Sequence, residues 1–168
     1  MRTLVLGLGN PYLTDDGVGV RVAEAVRAAL PPGSACDVGE ASVGGLTLME
    51  MLVGYDRAIL IDALYRHEGR PGTVRRLSLA DLSEISPTQH SVSAHDTNLA
   101  TALALGRRLG LPLPREIVTF AVEVENITDF AEEPTPSVAR AVPEVVAAVM
   151  AELGTEEPAA AAAVRRAS

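Results

Sequence analysis

The sequence predicts a single α/β domain, a three-layer sandwich in which helices cover both faces of a mostly parallel sheet. Two observations predict it. Short continuous apolar runs alternate with segments whose apolar residues recur at helical spacing. In addition, 48% of the 168 residues are hydrophobic, which is enough for one core. We expect this domain to span residues 1–153 and a low-complexity tail to follow over 154–168.

The strands are predicted from apolar runs of strand length, and the helices from apolar residues at intervals of three or four. In chain order the predicted strands are Thr3–Leu8, a weaker strand at Cys36–Ala41, 58–61, the arginine-containing 73–79, and 117–124. The predicted helices are 18–30, stopped by the Pro-Pro-Gly that follows, a short helix at 46–53, a helix beginning near Leu99, and a final helix at 138–153. Since aromatic residues make up only 3%, the core must be built from aliphatic side chains.

The composition excludes several classes of function. All 14 basic residues are arginine, which removes Walker-type phosphate binding and Schiff-base chemistry. A net charge of −8 argues against nucleic acid as a partner, and Arg75 and Arg76 are expected to be solvated. Cys36 is the single cysteine, so no intrachain disulfide forms, and we expect it to pack within its strand. No apolar run reaches membrane-spanning length, and a single cysteine suits a cytosolic chain, so we expect a cytoplasmic protein without a membrane partner. The acidic composition with scattered arginines indicates no homo-oligomer interface, so we expect a monomer.

Acidic residues follow the carboxyl ends of several predicted strands. Asp15 and Asp16 follow the first strand, Asp62 terminates the 58–61 strand, and Glu123 and Glu125 stand at the end of the last. Right-handed crossovers bring the carboxyl ends of parallel strands to one edge of the sheet, where α/β proteins bind their ligands. We therefore expect these acids to converge there.

The loop LGLGNPYLTDDGVG begins like a dinucleotide-binding turn but departs from that pattern. Tyr12 stands where the third glycine is needed, and Asp15 and Asp16 would repel a pyrophosphate. The competing interpretation is that the two acids cap the following helix. Because one cap needs one side chain, capping is the stronger interpretation for Asp15, and Asp16 is the stronger candidate for a chemical role.

The three histidines lie in different contexts. His67 stands in the polar turn RHEGRPG and is expected at the surface, whereas His90 and His95 flank the SVSA segment before the helix that begins near Leu99. Together, two carboxylates and one imidazole form a mixed ligand set that suits nickel, zinc or ferrous iron and leaves coordination positions open. His95, at the helix start, is the stronger candidate, and His90 could replace it if the loop shifts.

Three segments of the chain, in order and at similar spacing, resemble the hydrogenase maturation endopeptidases. They are GLGNPYLTDDGVG with Asn10 in its Gly-x-Gly-Asn turn, ILIDAL around Asp62, and SAHDTNLATAL around His95. Any one of these motifs alone would be weak, and the three together are specific. The resemblance extends over residues 1–153.

The resemblance implies a fold and a function. The fold is a twisted, mostly parallel sheet of about five strands with helices on both faces. The activity is removal of a C-terminal extension from the precursor of a nickel–iron hydrogenase large subunit after nickel insertion. Asp16, Asp62 and His95 correspond to the triad that senses nickel. The precursor itself supplies this nickel, and no permanent cofactor is expected. Relatives often carry Glu at the first position, so the shorter Asp16 alters the reach of that ligand.

The chemistry of scission stays open at this point. A metal-polarised carbonyl and a metal-bound water are both possible, with a carboxylate as proton acceptor. The turn at Gly44 and Gly45 either permits close approach of the substrate peptide or is a plain strand-to-helix turn.

Two other functions are compatible with parts of the sequence. The GLGNP opening also resembles peptidyl-tRNA hydrolases, but Thr14, Asp15 and Asp16 replace their basic and histidine element. A nickel carrier without enzymatic activity would use the same ligands and would differ by binding metal tightly and cleaving nothing.

Overall fold

A computed structural model describes residues 1–85, 91–92 and 99–154 of the chain. Its strands are β1 (Thr3–Leu8), β2 (Cys36–Ala41), β3 (Arg57–Arg66), β4 (Val74–Ser78), β5 (Ser91–Val92) and β6 (Glu116–Val124). Its helices are α1 (Val18–Ala29), α2 (Gly45–Leu52), α3 (Leu79–Ile85), α4 (Leu99–Arg108) and α5 (Pro136–Gly154), and a 3₁₀ turn spans Thr14–Gly17.

The strands form one sheet in the order β2-β1-β3-β6-β4, with β5 added beside β3. The strands β2, β1, β3 and β6 are parallel to one another. The edge strand β4 runs antiparallel to β6, and the two-residue β5 runs antiparallel to the end of β3. The mostly parallel sheet is therefore confirmed. Its parallel strands end along one common edge, which we call the carboxyl edge.

Two apolar layers cover the faces of the sheet. Because side chains alternate along a strand, Val5 of β1 packs with α1 and α5, while Leu4 and Leu6 pack with α2 and α4. The same alternation separates Ile59 and Ile61 from Leu60 on β3. This arrangement is the predicted three-layer sandwich. Within the described ranges, no helix is long and apolar enough to cross a membrane.

Helix α1 lies against the sheet at backbone distance because two glycines leave room for it. A Cβ atom on Gly7 would lie 2.2 Å from the carbonyl oxygen of Gly19, and a Cβ on Gly19 would lie 2.3 Å from that of Ile61. Both carbonyls belong to the backbone, of α1 and of β3, so neither can move aside as a flexible side chain could. The requirement at Gly7 is therefore close packing, not a turn.

The structure corrects three expectations about the elements. Strand β3 does not end at Asp62 but continues to Arg66, because β6 runs beside it as far as the pair Tyr65–Val124. Helix α3 and strand β5 were not predicted, since both are short. Arg76 is not simply solvated: its guanidinium binds Glu152 of α5, which also accepts a hydrogen bond from the buried Arg57.

Candidate active site

The loop after β1 holds the carboxylate of Asp16 at the carboxyl edge. Gly9 has a φ of 125°, and a Cβ there would lie 1.9 Å from the carbonyl oxygen of Asp16, so only glycine fits. The backbone N–H of Asn10 donates to Asp16 Oδ2 at 2.8 Å. The Asn10 side chain accepts the N–H of Tyr12 at 3.0 Å. Asn10 thus fixes both the turn and one oxygen of Asp16, whose side chain stays partly exposed.

Asp62 lies in the neighbouring strand at the point where the sheet changes its pairing. Strand β1 stays beside β3 only as far as Ile61, so Asp62 is the first residue of β3 beyond that ladder. Its side chain is 2% exposed, and Oδ1 accepts the N–H of Ala63 at 2.8 Å. Asp62 lies two residues after Leu60 in the strand, so its side chain is on the same face of the sheet, the one covered by α2 and α4. Burial disfavours a charged carboxylate and a nearby cation stabilises it, so a buried carboxylate at the carboxyl edge is suited to binding a cation.

The third predicted ligand, His95, and its alternative, His90, lie outside the described residues. Helix α4 begins at Leu99, whose buried side chain packs in the same apolar layer as Leu60. Within residues 1–85, 91–92 and 99–154, no group of three or more His, Cys, Asp and Glu side chains is arranged to hold a metal ion. His67 is exposed in the turn after β3, as predicted.

The prediction that Asp15 caps the following helix is wrong. Neither the 3₁₀ turn nor α1 has a side-chain cap, and the Asp15 side chain is fully buried. Its Oδ1 accepts the N–H of Thr135 at 2.7 Å, and its Oδ2 accepts the N–H groups of Glu125 and Asn126 at 3.2 and 3.0 Å. The Thr135 hydroxyl donates as well, at 2.9 Å. Asp15 therefore ties the loop between β6 and α5 to the loop that carries Asp16.

Comparison with known proteins shows the family to which the chain belongs. The sequence matches the family model of HycI, hydrogenase maturation protease, over residues 20–152. The chain belongs to the hydrogenase maturation protease family. This membership makes it a hydrolase that cleaves peptide bonds, and it favours that interpretation over the peptidyl-tRNA hydrolase and the nickel carrier.

Relatives of this maturation protease share both sequence and fold. The hydrogenase 2 maturation protease of Escherichia coli is 29% identical over 127 residues, which cover 76% of each chain. The solved structure of the hydrogenase maturating endopeptidase HybD from E. coli matches with a TM-score of 0.77 at 28% identity, covering 91% of this chain and 92% of that one. The [NiFe] hydrogenase maturation protease HybD from Thermococcus kodakarensis gives a TM-score of 0.69 at 26% identity, with coverages of 91% and 99%.

We expected Glu123 to converge with Asp16 and Asp62, but in the structure it binds arginines instead. Its carboxylate is 2% exposed and binds Arg66 at 3.2 Å, Arg75 at 2.6 Å and the N–H of Arg70 at 2.6 Å. Burial by itself raises the pKa of Glu123, but the amide of Arg70 and the guanidinium of Arg75 outweigh it and hold the pKa below its usual value. Glu123 thus connects the ends of β3, β4 and β6 through ion pairs. Arg75 was predicted to be solvated, but it is paired with Glu123.

This network predicts how stability depends on pH. Because the pKa of Glu123 is lower in the folded protein, its stabilisation is complete above its ordinary value of about 4.5 and is lost as the pH falls through the lower folded value. We expect Glu123→Gln to flatten the loss of unfolding free energy between about pH 6 and pH 3. Urea titrations at several pH values measure this. The exposed neighbour provides the control, Glu125→Gln, which should follow the wild-type curve; parallel profiles for Glu123→Gln and wild type would contradict the assignment.

Gly44 and Gly45 lie where the chain leaves β2 and enters α2, on the same edge as Asp16. Gly45 has a φ of 58°, a left-handed conformation that favours glycine, whereas Gly44 is extended. The hydroxyl of Ser42 donates to the carbonyl oxygen of Gly9 at 2.7 Å, which joins this turn to the Asp16 loop. The contact with substrate at these glycines stays a prediction.

The opposite edge of the sheet holds a separate cavity. It has a volume of about 330 Å³ and lies between the end of α1 and the start of β2, where Arg27, Leu30 and Cys36 line it. Cys36 is partly buried and packs against the layer of α1 and α5, as predicted. This cavity is distant from Asp16 and Asp62, since the amino ends of the parallel strands form that edge.

Sequence reasoning missed three residues around the site. Thr135 was not recognised as the partner of Asp15, which lies 120 positions earlier in the chain. Tyr12, within the Asp16 loop, and Phe130, in the loop between β6 and α5, were not recognised as exposed aromatic side chains. A signal for Phe130 was available, because it is an aromatic residue within the acidic segment NITDFAEEP.

Proposed function

We propose that this maturation protease removes a C-terminal extension from the precursor of a nickel–iron hydrogenase large subunit after nickel insertion, and that it recognises the nickel held by that precursor. In this proposal Asp16, Asp62 and His95 bind the substrate's nickel, and the enzyme acts as a cytoplasmic monomer without a permanent cofactor. The observation that carries it is the position of two carboxylates near the carboxyl edge: Asp16 lies in the loop after β1, held by Asn10, and the buried Asp62 lies in β3 just beyond its ladder with β1.

The two carboxylates have different environments, which supports a different role for each in binding the nickel. Asp16 is partly exposed, and its Oδ2 is oriented by the N–H of Asn10, so this ligand meets an incoming substrate in a fixed direction. Asp62 is almost completely buried on the face that α4 covers. Helix α4 begins four residues after His95, which supports an imidazole as the third ligand. Such an open set of oxygen and nitrogen ligands can add to nickel that thiolates of the precursor already hold.

The proposed reaction is hydrolysis of one peptide bond. Water adds to the scissile carbonyl, the C–N bond breaks, and a carboxylate of the site accepts the proton of the water before the leaving amine takes one up. The nickel of the precursor, held against Asp16 and Asp62, sets the position of that bond relative to the carboxylates.

The deciding experiment is incubation of the enzyme with the nickel-loaded precursor and with the same precursor prepared without nickel. Mass spectrometry then follows the precursor. We expect loss of one short C-terminal peptide from the nickel-loaded form alone. Cleavage of both forms would contradict the proposed recognition of nickel. Cleavage of neither form would contradict the proposed processing of this precursor.

Nickel binding by the isolated enzyme is expected to be weak and reversible. A site with only three protein ligands and open positions leaves most of the affinity to the precursor's thiolates. Titration with nickel followed by NMR should shift the ring signals of His95 and leave those of His67 unchanged. His95→Ala should weaken the Kd by about tenfold or more, whereas His67→Ala should leave it unaltered. A stoichiometric ion that chelators remove only with unfolding would mark a structural metal site and contradict the proposal.

A further inference from the structure

The loop beside Asp16 carries the most exposed aromatic side chains of the described chain. Tyr12 is 61% exposed and Phe130 is 87% exposed. The whole sequence has only three Tyr, two Phe and no Trp, so two of these five aromatic residues lie in solvent at one place. Exposed aromatic side chains are a typical feature of binding surfaces, where they supply large contact areas at a small cost in conformational entropy.

Backbone hydrogen bonds hold the two aromatic residues next to each other. Leu13 and Ala131 form a parallel bridge. The N–H of Ala131 donates to the carbonyl oxygen of Tyr12 at 3.1 Å, and the N–H of Thr14 donates to that of Ala131 at 2.9 Å. Tyr12 and Phe130 each precede one partner of the bridge and so occupy equivalent positions. Because the framework is fixed, a partner that binds there orders little of this protein.

The aromatic residues are also connected to the candidate site. The N–H of Tyr12 donates to the side chain of Asn10, and the N–H of Asn10 donates to Asp16. On the other side, Asp15 accepts hydrogen bonds from both ends of the loop that contains Phe130. One hydrogen-bonded backbone framework thus connects the nickel-binding carboxylate of the proposal with the two segments that carry the exposed aromatic side chains.

The charge around this surface has one sign. The segment from 125 to 135 contains four acidic residues, and no Arg, Lys or His occurs between 116 and 139. Glu125, Asp129, Glu132 and Glu133 are all exposed. A partner that covers the aromatic residues therefore meets a negative rim, which favours basic side chains around an apolar centre.

We infer that Tyr12 and Phe130, which we call the aromatic patch, form a docking surface for an apolar segment flanked by basic residues in the large-subunit precursor. This inference rests on the proposed function and extends it from the scissile site to the neighbouring surface. The patch holds the precursor in the direction from which its nickel reaches Asp16. Its contribution is to binding and not to the bond-breaking step.

The test compares Tyr12→Ala, Phe130→Ala and the double variant in binding and processing of the nickel-loaded precursor. The matched control is Leu109→Ala, since Leu109 is also apolar and 67% exposed but follows α4 at the opposite edge of the sheet. We expect KM and the Kd for the precursor to rise about tenfold in the double variant while kcat stays within about twofold. The control should match wild type.

The basic flank of the partner is tested separately. Glu132→Gln combined with Glu133→Gln should raise KM about threefold at low salt, and the difference should vanish at about 0.5 M salt, where exposed charges are screened. An unchanged KM at low salt would overturn the requirement for basic residues.

The remaining outcomes separate this inference from the proposed function. If wild type cleaves the precursor and the double variant does so with the same KM, the docking surface is wrong and the activity stands. If wild type binds the precursor without cleaving it and the double variant loses that binding, the activity is wrong and the surface stands. If wild type does neither, both are overturned. Sedimentation supplies the last outcome: a wild-type dimer that the double variant dissociates would make the patch a self-association surface and overturn the inference.

Discussion

Asp16→Asn is expected to abolish processing of the nickel-loaded precursor while leaving the fold intact. The asparagine keeps an oxygen that accepts the N–H of Asn10, so the turn is preserved. The substitution removes the negative charge with which, in the proposal, residue 16 binds the nickel. A loss of several kcal/mol in the transition state corresponds to a decrease in kcat/KM of about a thousandfold, since each ~1.4 kcal/mol is a factor of ten. The unfolding free energy should stay within about 0.5 kcal/mol of wild type, because the side chain is partly exposed.

The control for this variant is Glu68→Gln, which removes one negative charge from an exposed position in the turn after β3, outside the acidic segment 125–135. It should process the precursor at the wild-type rate. Mass spectrometry of the cleaved precursor and thermal unfolding of each variant give both measurements. Equal processing by Asp16→Asn and wild type would show that Asp16 is not a ligand and would remove the central element of the proposed site.

Asp15→Asn, the same substitution one residue earlier, is expected to destabilise the protein strongly. If Asp15 were a helix cap, the effect would be small, because Asn caps helices about as well as Asp. In the structure both carboxylate oxygens accept hydrogen bonds from backbone N–H groups at a fully buried position. An amide turns one acceptor into a donor that faces N–H donors. Leaving two such groups unsatisfied costs about 2–4 kcal/mol, or about 5–15 °C in Tm for a chain of this size.

Thermal unfolding of Asp15→Asn beside Asp16→Asn measures this effect under matched conditions. The first should lower the Tm and the second should not, whereas the second should lose processing at a temperature where both are folded. A Tm for Asp15→Asn within about 2 °C of wild type would show that the β6–α5 loop does not depend on Asp15.

Most of the fold could be predicted because it depends on local patterns. The buried run of β1 and the helical spacing of Val18, Val22 and Val26 in α1 are visible within a dozen residues. The error at β3 has a physical cause: Arg57 and Asp62 are polar but buried, so they interrupt the apolar pattern of a strand that continues past both. Whether such a residue ends a strand depends on the neighbouring strand, which local sequence does not reveal.

The site could be predicted only in part, because its partners are distant in the chain. Strand order placed Asp16 and Asp62 on one edge, as the alternation of strands and helices indicated. Asp15, adjacent to Asp16 and chemically identical to it, serves a different purpose, and Glu123 is neutralised by Arg66 and Arg75. The difference between these acids lies in which N–H and guanidinium groups fold onto them, and those groups are 48 to 120 positions away.

The bond between Asp15 and Thr135 also orders the events of folding during synthesis. It closes a separation of 120 residues, whereas β1 and β3 meet across a shorter stretch. Contacts of such long range form after the local ones, because the chain entropy of closing the loop must be met first. On the ribosome, the N-terminal half with Asp16 and Asp62 emerges before the segment that anchors Asp15 has been made. The loop that carries Asp15 and Asp16 therefore gains its anchor at Thr135 only when nearly the whole domain has left the exit tunnel, so we expect this part of the candidate site to be completed late in synthesis.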